Sequence, residues 1–156
     1  MPVRIKICGI TTTANADLAA TLGVDWIGLN FYTKSPRYVD DATASAIIGS
    51  LPNSVEPVAL FVNEPPDAMQ RAARRLSIRT VQIHGELGAG SAWGELRWIP
   101  AFSVRDAADL VSIDGSRHRD AVFLSQRLDP HTPRIVHVAG DHPNGSSWSS
   151  RHYSSP

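Results

Sequence analysis

The chain has 156 residues, 42% hydrophobic and 19% charged, with 15 basic and 15 acidic side chains. That length supports one domain with a core, and a formal net charge of zero with no basic stripe argues against nucleic acid as the main partner. No apolar run reaches bilayer length, Arg4 and Lys6 interrupt the N-terminal apolar stretch, and one cysteine rules out an intramolecular disulfide framework, so the sequence predicts a cytoplasmic protein with no membrane partner.

The first predicted strand is Val3 to Cys8, running directly into Gly9-Ile10-Thr11. A helix follows from about Asn15 to Leu22, with Leu18 and Leu22 at i,i+4 spacing as its apolar face and Gly23 placed to end it. The second strand is Trp26 to Phe31. Asp40 or Asp41 caps the next helix, which carries Ala44, Ile47, Ile48 and Leu51. The third strand is Pro57 to Val62. Pro65-Pro66-Asp67 opens a third helix with Met69, Ala72, Ala73 and Leu76 on one face. The fourth strand is Thr80 to His84, followed by a loop over Gly88 to Gly94. The fifth strand is Trp98 to Phe102, a helix spans about Val104 to Val111, and the sixth strand is Ala121 to Leu124.

Strict alternation of strand and helix predicts parallel strands with helical crossovers. The first strand helps to choose the architecture. Val3, Ile5 and Ile7 are expected to face the helices, and Arg4, Lys6 and Cys8 the other side. In a doubly wound sheet helices cover both faces, so charges there are costly. In a barrel they point into the interior and can pair near its ends. The pattern favours a (β/α)8 barrel.

The character changes after Leu124. Residues 126–156 hold six serines, four prolines and four of the six histidines. A closed barrel of this type takes about 250 residues, with a floor near about 200. The sequence therefore reads as an incomplete barrel of about six strands over residues 1–125, with an irregular, disordered or frameshifted tail over 126–156.

Three segments carry candidate chemistry. Cys8 ends the first strand, two residues after Lys6 on the same strand face. An ammonium beside a thiol can lower its pKa, which points to a general acid/base cysteine; the bland alternative is a small buried hydrophobe. Arg37 lies in the loop after the second strand and offers a planar fork suited to a carboxylate, unless that loop is only a solvated surface. Gln82 and His84 share one face of the fourth strand, so both line a barrel mouth or His84 merely caps the strand end. Asn63 reads as a turn residue. His131, His137, His142 and His152 match no zinc spacing, and no metal is expected.

Four segments taken together resemble the phosphoribosylanthranilate isomerases: Lys6-Ile7-Cys8-Gly9-Ile10-Thr11, Gly28 to Tyr32 with Lys34 to Val39, Leu60 to Asn63, and Val81-Gln82-Ile83-His84-Gly85. The resemblance covers about residues 3 to 124. It implies a (β/α)8 barrel enzyme of tryptophan biosynthesis that performs an Amadori rearrangement on a phosphosugar-anthranilate substrate without a cofactor. It implies Cys8 as general base, Arg37 as the holder of the anthranilate carboxylate, and Gln82 and His84 as pocket lining. The family's general acid is an aspartate at the end of the sixth strand. Here Ser125 takes that place, Asp129 comes four residues late, and the glycine-rich segment and later phosphate-binding loops have no counterpart. This departure implies impaired turnover; the alternative is an inactive partial barrel or the product of a decayed gene.

Arginine outnumbers lysine 13 to 2, which fits GC-rich coding, and out-of-frame reading of such DNA yields Ser, Arg, Pro and His. A frame shift near codon 124 or 125 is therefore expected. Sequencing the gene and translating the other frames beyond that codon should give an aspartate at the strand end, a glycine-rich loop and further strand–helix units. Finding nothing of the kind in any frame would reject the shift.

Overall fold

The computed structural model describes residues 4–85, 93–104 and 123–126. Its strands are β1 (Lys6–Cys8), β2 (Trp26–Asn30), β3 (Glu56–Val62), β4 (Thr80–His84), β5 (Arg97–Val104) and β6 (Phe123–Gln126). The helices among these residues are α1 (Thr13–Thr21), α2 (Asp41–Ser50) and α3 (Pro66–Arg75).

Local chemistry sets the helix starts. The Thr12 hydroxyl accepts from the Asn15 backbone N–H at the head of α1, and the Asp40 carboxylate accepts from Thr43 N–H at the head of α2. At α3 Pro65 and Pro66 do the same work by fixing φ where no N–H is needed. Short apolar strands such as Trp26–Asn30, buried along their whole length, suit a sheet covered on both faces.

All neighbouring strands pair in parallel, in the order β1-β2-β3-β4-β5-β6. Each strand adds beside its predecessor with no reversal of direction along the sheet. That is the progression of a barrel wall; a doubly wound sheet reverses at a switch point. Alternation along the strands separates two cores. Ile27, Leu29, Ala59, Phe61, Val81 and Ile83 pack outward against Ala16, Ala44, Ile47, Met69 and Ala73 of the helices. Trp26, Val58 and Ile99 pack with Ala101 on the other face, the barrel interior.

Below that inner cluster, at the N-terminal ends of the strands, one carboxylate joins four strands. Glu56 accepts from the Arg97 guanidinium (2.6 Å to each oxygen), the Thr80 hydroxyl (2.6 Å) and the Trp26 indole N–H (3.1 Å). The Arg4 guanidinium covers the Trp26 ring at 5.4 Å.

The structure corrects several expectations. Leu18 and Leu22 are 60% and 68% exposed; α1 turns Ala16 and Ala19 inward instead, because small side chains let the helix lie close to the sheet. Ile5 is 51% exposed rather than packed under a helix, since the ladder of β1 begins only at Lys6. β5 is longer than predicted, and β6 runs past Leu124, pairing Ser103 with Ser125 and ending at Gln126. Ser125 therefore sits within the strand and not just past its end. The helix expected at about Val104 to Val111, most of the loop before β5, Asp129, the tail and its four histidines lie outside the described residues.

Burial opposes ionisation of Glu56, but its hydrogen bonds to Arg97 and Thr80, the Arg97 charge and the Trp26 N–H outweigh it and hold the carboxyl below its ordinary 4.5. A carboxyl lowered in the folded state contributes stability that is fully present above 4.5 and is lost as pH falls through its folded value. Glu56→Gln is expected to lower stability at neutral pH by about 1 kcal/mol, because Arg97 is nearly half exposed and solvent screens the pair. The gap between the variant and the parent should shrink as pH falls below 4.5 in urea melts. A gap that stays constant across that range would show that the charge of Glu56 contributes nothing.

Candidate active site

In parallel strand–helix barrels the chemistry gathers at the C-terminal ends of the strands. Cys8 is the last residue of β1 and sits opposite Gly28 in the β1–β2 register. The chain then turns through Gly9, whose φ of +83° lies in the left-handed region that favours glycine. The N–H groups of Gly9 and Ile10 both donate to the Gly28 carbonyl, at 2.8 and 3.2 Å, and fasten that turn to β2.

Arg37 comes to the same place from the loop between β2 and α2. Asn30, buried at the end of β2, organises this loop. Its amide oxygen accepts from Tyr32 N–H at 2.9 Å, its amide nitrogen donates to the Ser35 hydroxyl oxygen at 3.0 Å, and its carbonyl accepts from Val39 N–H at 2.9 Å. The same Ser35 oxygen accepts from the Arg37 backbone N–H at 3.1 Å. The guanidinium then reaches across to β1, where Nη1 donates to the Cys8 carbonyl at 2.8 Å. A Cβ on Gly9 would stand 2.5 Å from that Nη1, so the bare α-carbon is also what admits Arg37.

Lys6 lies below Cys8 on the same strand face and is only 5% exposed. Burial pushes its ammonium below the ordinary lysine value of 10.5; the Cys8 sulfur beside it pulls the other way, and the Arg37 guanidinium lowers it further. Lys6 and Arg37 thus both come close to Cys8, the lysine through its side chain and the arginine through the Cys8 carbonyl.

Gln82 and His84 form a second pair. Their Nε2 atoms lie 2.8 Å apart. With the amide nitrogen as donor, the ring nitrogen accepts, which places the ring proton on Nδ1. Gln82 is fully buried, and its Oε1 has no hydrogen-bond partner among the described residues. The His84 carbonyl accepts from Asn63 N–H at 2.9 Å, and Asn63 has a φ of +53°, so Asn63 is the turn residue its sequence context predicted.

The structure therefore brings Cys8 to Arg37 and Gln82 to His84, as two pairs separated by β2 and β3. Gly28 and Val58 continue the row of Cys8, and Asn30 and Leu60 lead to Gln82. Three residues lie in the segments that carry the resemblance but receive no role from the sequence alone: Asn30 and Ser35, which hold the Arg37 loop, and Gly28, which faces the thiol. Asn-x4-Ser spacing around a strand end was the available signal, but only the fold shows that the two side chains meet.

Consecutive parallel strands with helical crossovers, and a thiol and a guanidinium brought together at the C-terminal end of β1, are the arrangement of the (β/α)8 barrel class. The model of the N-(5'phosphoribosyl)anthranilate (PRA) isomerase family matches residues 5–127. The chain belongs to that family. It is 40% identical over 117 residues to the N-(5'-phosphoribosyl)anthranilate isomerase of Dechloromonas aromatica (strain RCB), covering 74% of this chain and 56% of that protein. It is 40% identical over 140 residues to the isomerase of Geobacter sulfurreducens, covering 88% of this chain and 66% of that one. The chain thus spans 56 to 66% of the length of these curated relatives. The crystal structure of phosphoribosyl anthranilate isomerase from Thermotoga maritima superposes with a TM-score of 0.75 at 31% identity, covering 83% of this chain and 64% of that one. A phosphoribosyl anthranilate isomerase in complex with reduced 1-(o-carboxyphenylamino)-1-deoxyribulose 5-phosphate matches at a TM-score of 0.74 and 32% identity, covering 80% of this chain and 66% of that one.

Gly9→Ala is expected to cost about 1–2 kcal/mol, because it adds a Cβ in the left-handed region and collides with Arg37. The urea midpoint should fall with an unchanged m-value. An unshifted midpoint would mean that neither the strain nor the contact matters.

Proposed function

We propose that this chain carries the base and carboxylate-binding half of a phosphoribosylanthranilate isomerase site of tryptophan biosynthesis, in a cytoplasmic enzyme that uses no cofactor. The observation that supports this most is the 2.8 Å hydrogen bond from Arg37 to the Cys8 carbonyl, which ties a carboxylate-binding fork to the thiol. A guanidinium carries five N–H donors, so one bond to Cys8 leaves others for the anthranilate carboxylate.

The reaction is the conversion of the aminoaldose N-(5-phosphoribosyl)anthranilate into the aminoketose 1-(2-carboxyphenylamino)-1-deoxyribulose 5-phosphate. A proton delivered to the ring oxygen opens the furanose and leaves an iminium at C1. Cys8, as the thiolate, takes the proton from C2, and the C–H electron pair moves into a C1–C2 double bond as the iminium becomes an amine. The resulting enolamine tautomerises to the ketone. No redox partner is needed, because C1 is reduced as C2 is oxidised. Gln82 and His84 line the pocket from β4, where the buried Gln82 Oε1 is an acceptor for a substrate hydroxyl.

The acid step is where this chain is weak. The sixth strand closes with Ser125 and Gln126 and leads to Arg127, and none of these side chains is a carboxylic acid. A hydroxyl does not act as a general acid near neutral pH without assistance. The expected pattern is therefore binding with turnover near zero. A second reading, a partial barrel without catalysis, draws on the exposed Ile5, Leu18 and Leu22 beside β1, which has a single strand neighbour among the described residues.

The test measures affinity for the reduced aminoketose phosphate and turnover of the aminoaldose. Arg37→Ala should weaken binding by about 10- to 100-fold, the range expected for losing a charge-assisted carboxylate contact. Cys8→Ala should abolish any residual turnover and leave binding nearly unchanged. Equal affinity of the parent and Arg37→Ala would remove the carboxylate role, and turnover surviving in Cys8→Ala would remove the base. Absence of binding by the parent itself would favour the partial barrel.

A further inference from the structure

Lys6 is a costly residue to bury. A lysine almost never lies fully inside a protein unless something there requires its charge or its proton. Here it is 5% exposed, on an interior strand face, with Cys8 and Arg37 as its charged or ionisable neighbours. β2, the strand packed against it, presents Trp26 and Gly28 in register with Lys6 and Cys8, and neither is titratable. Arg37, from the loop after β2, adds positive charge and so does not explain why an amine is kept there.

Gly28 supplies the second observation. Its φ is not in the left-handed region, so backbone conformation alone does not call for glycine. Space does. A Cβ built on Gly28 would stand 2.7 Å from Cys8 Sγ, 2.8 Å from Lys6 Nζ and 3.1 Å from the Cys8 α-carbon. The sulfur and the amine nitrogen therefore converge on the volume that any other residue at position 28 would fill.

We infer that Lys6 is a positioning residue for Cys8: its buried amine holds the thiol as thiolate by keeping a proton next to it, and the missing side chain of Gly28 gives the two groups the space to meet. The step is a proton exchange within the pair. Thiol and neutral amine become thiolate and ammonium, with no change in total charge, so the buried site bears no extra net charge when the base is ready. Once the thiolate has taken a proton from a carbon acid, the pair holds one proton more and returns it in the tautomerisation. The inference rests on the isomerase reading for the role of Cys8 as base, and its test does not require turnover.

Cys8 is the sole cysteine, so alkylation of the intact chain by iodoacetamide reports on it alone. The pH at half-maximal alkylation rate should lie below the ordinary thiol value of about 8.5 in the parent. Lys6→Met should raise that midpoint and slow alkylation at neutral pH by about tenfold, the equivalent of one pH unit. Gly28→Ala should shift it in the same direction, and adding it to Lys6→Met should shift it little further, since both act on one contact. A parent profile matching that of a free thiol would overturn the inference without any reference to a variant that might not fold. So would a Lys6→Met variant that melts cooperatively and keeps the parent midpoint. Failure of the isomerase reading alone would leave the alkylation profiles as expected, with no turnover and no binding of the aminoketose phosphate.

Discussion

The parallel pairing of β1 with β2 is the constraint on which the site depends. It sets Cys8 opposite Gly28 and leaves the thiol facing a residue with no side chain. A slip of one residue would turn Cys8 and Lys6 to the helix side and Ile7 to the interior, because strand side chains alternate. The two hydrogen bonds from Gly9 and Ile10 to the Gly28 carbonyl fix that register at the end where the chemistry lies. The paired outward residues Ile7 and Ile27 add burial on the other face.

From that pairing the site is assembled by short-range polar contacts. Asn30 and Ser35 hold the loop after β2, and the loop delivers Arg37 to the backbone of β1. Arg37 thereby ties the loop after β2 to the end of β1 through the Cys8 carbonyl. The arrangement is economical in its demands on sequence: glycine at positions 9 and 28, a small hydroxyl at 35 and a buried amide at 30. Each is a place where a larger or less polar residue would block a contact or leave a buried group without a partner.

The opposite end of the strands has a different task. Glu56, Arg97, Thr80 and Trp26 join β2 to β5 beneath the apolar inner cluster. A charge cluster there lets the strands end in polar surroundings without placing an unpaired ion inside. A structural lower end, opposite the end where sites gather, is the usual division in parallel strand–helix barrels.

The sequence by itself determined the parallel strand–helix alternation, because buried parallel strands read as apolar runs and helices as a 3.6-residue period. It also placed Cys8 and His84 at strand ends, since Gly9 and Gly85 mark where strands stop, Gln82 on the face of His84, and Arg37 in the loop after β2. It misjudged α1, where the spacing of Leu18 and Leu22 pointed to the wrong face: alanines carry little hydrophobic signal, yet their size decides how closely a helix approaches a sheet. It also ended β6 two residues early, because strand bounds follow from pairing with β5 and not from composition. Only the tertiary structure decided that Arg37 meets Cys8, that Gln82 meets His84, that Glu56 gathers three donors, and that Gly28 makes room for Lys6 and the thiol. Gln82 and His84 are two residues apart on one strand face, but the other contacts join residues distant in the chain, and their geometry is set by strand register and loop closure, which no local pattern in a single sequence encodes.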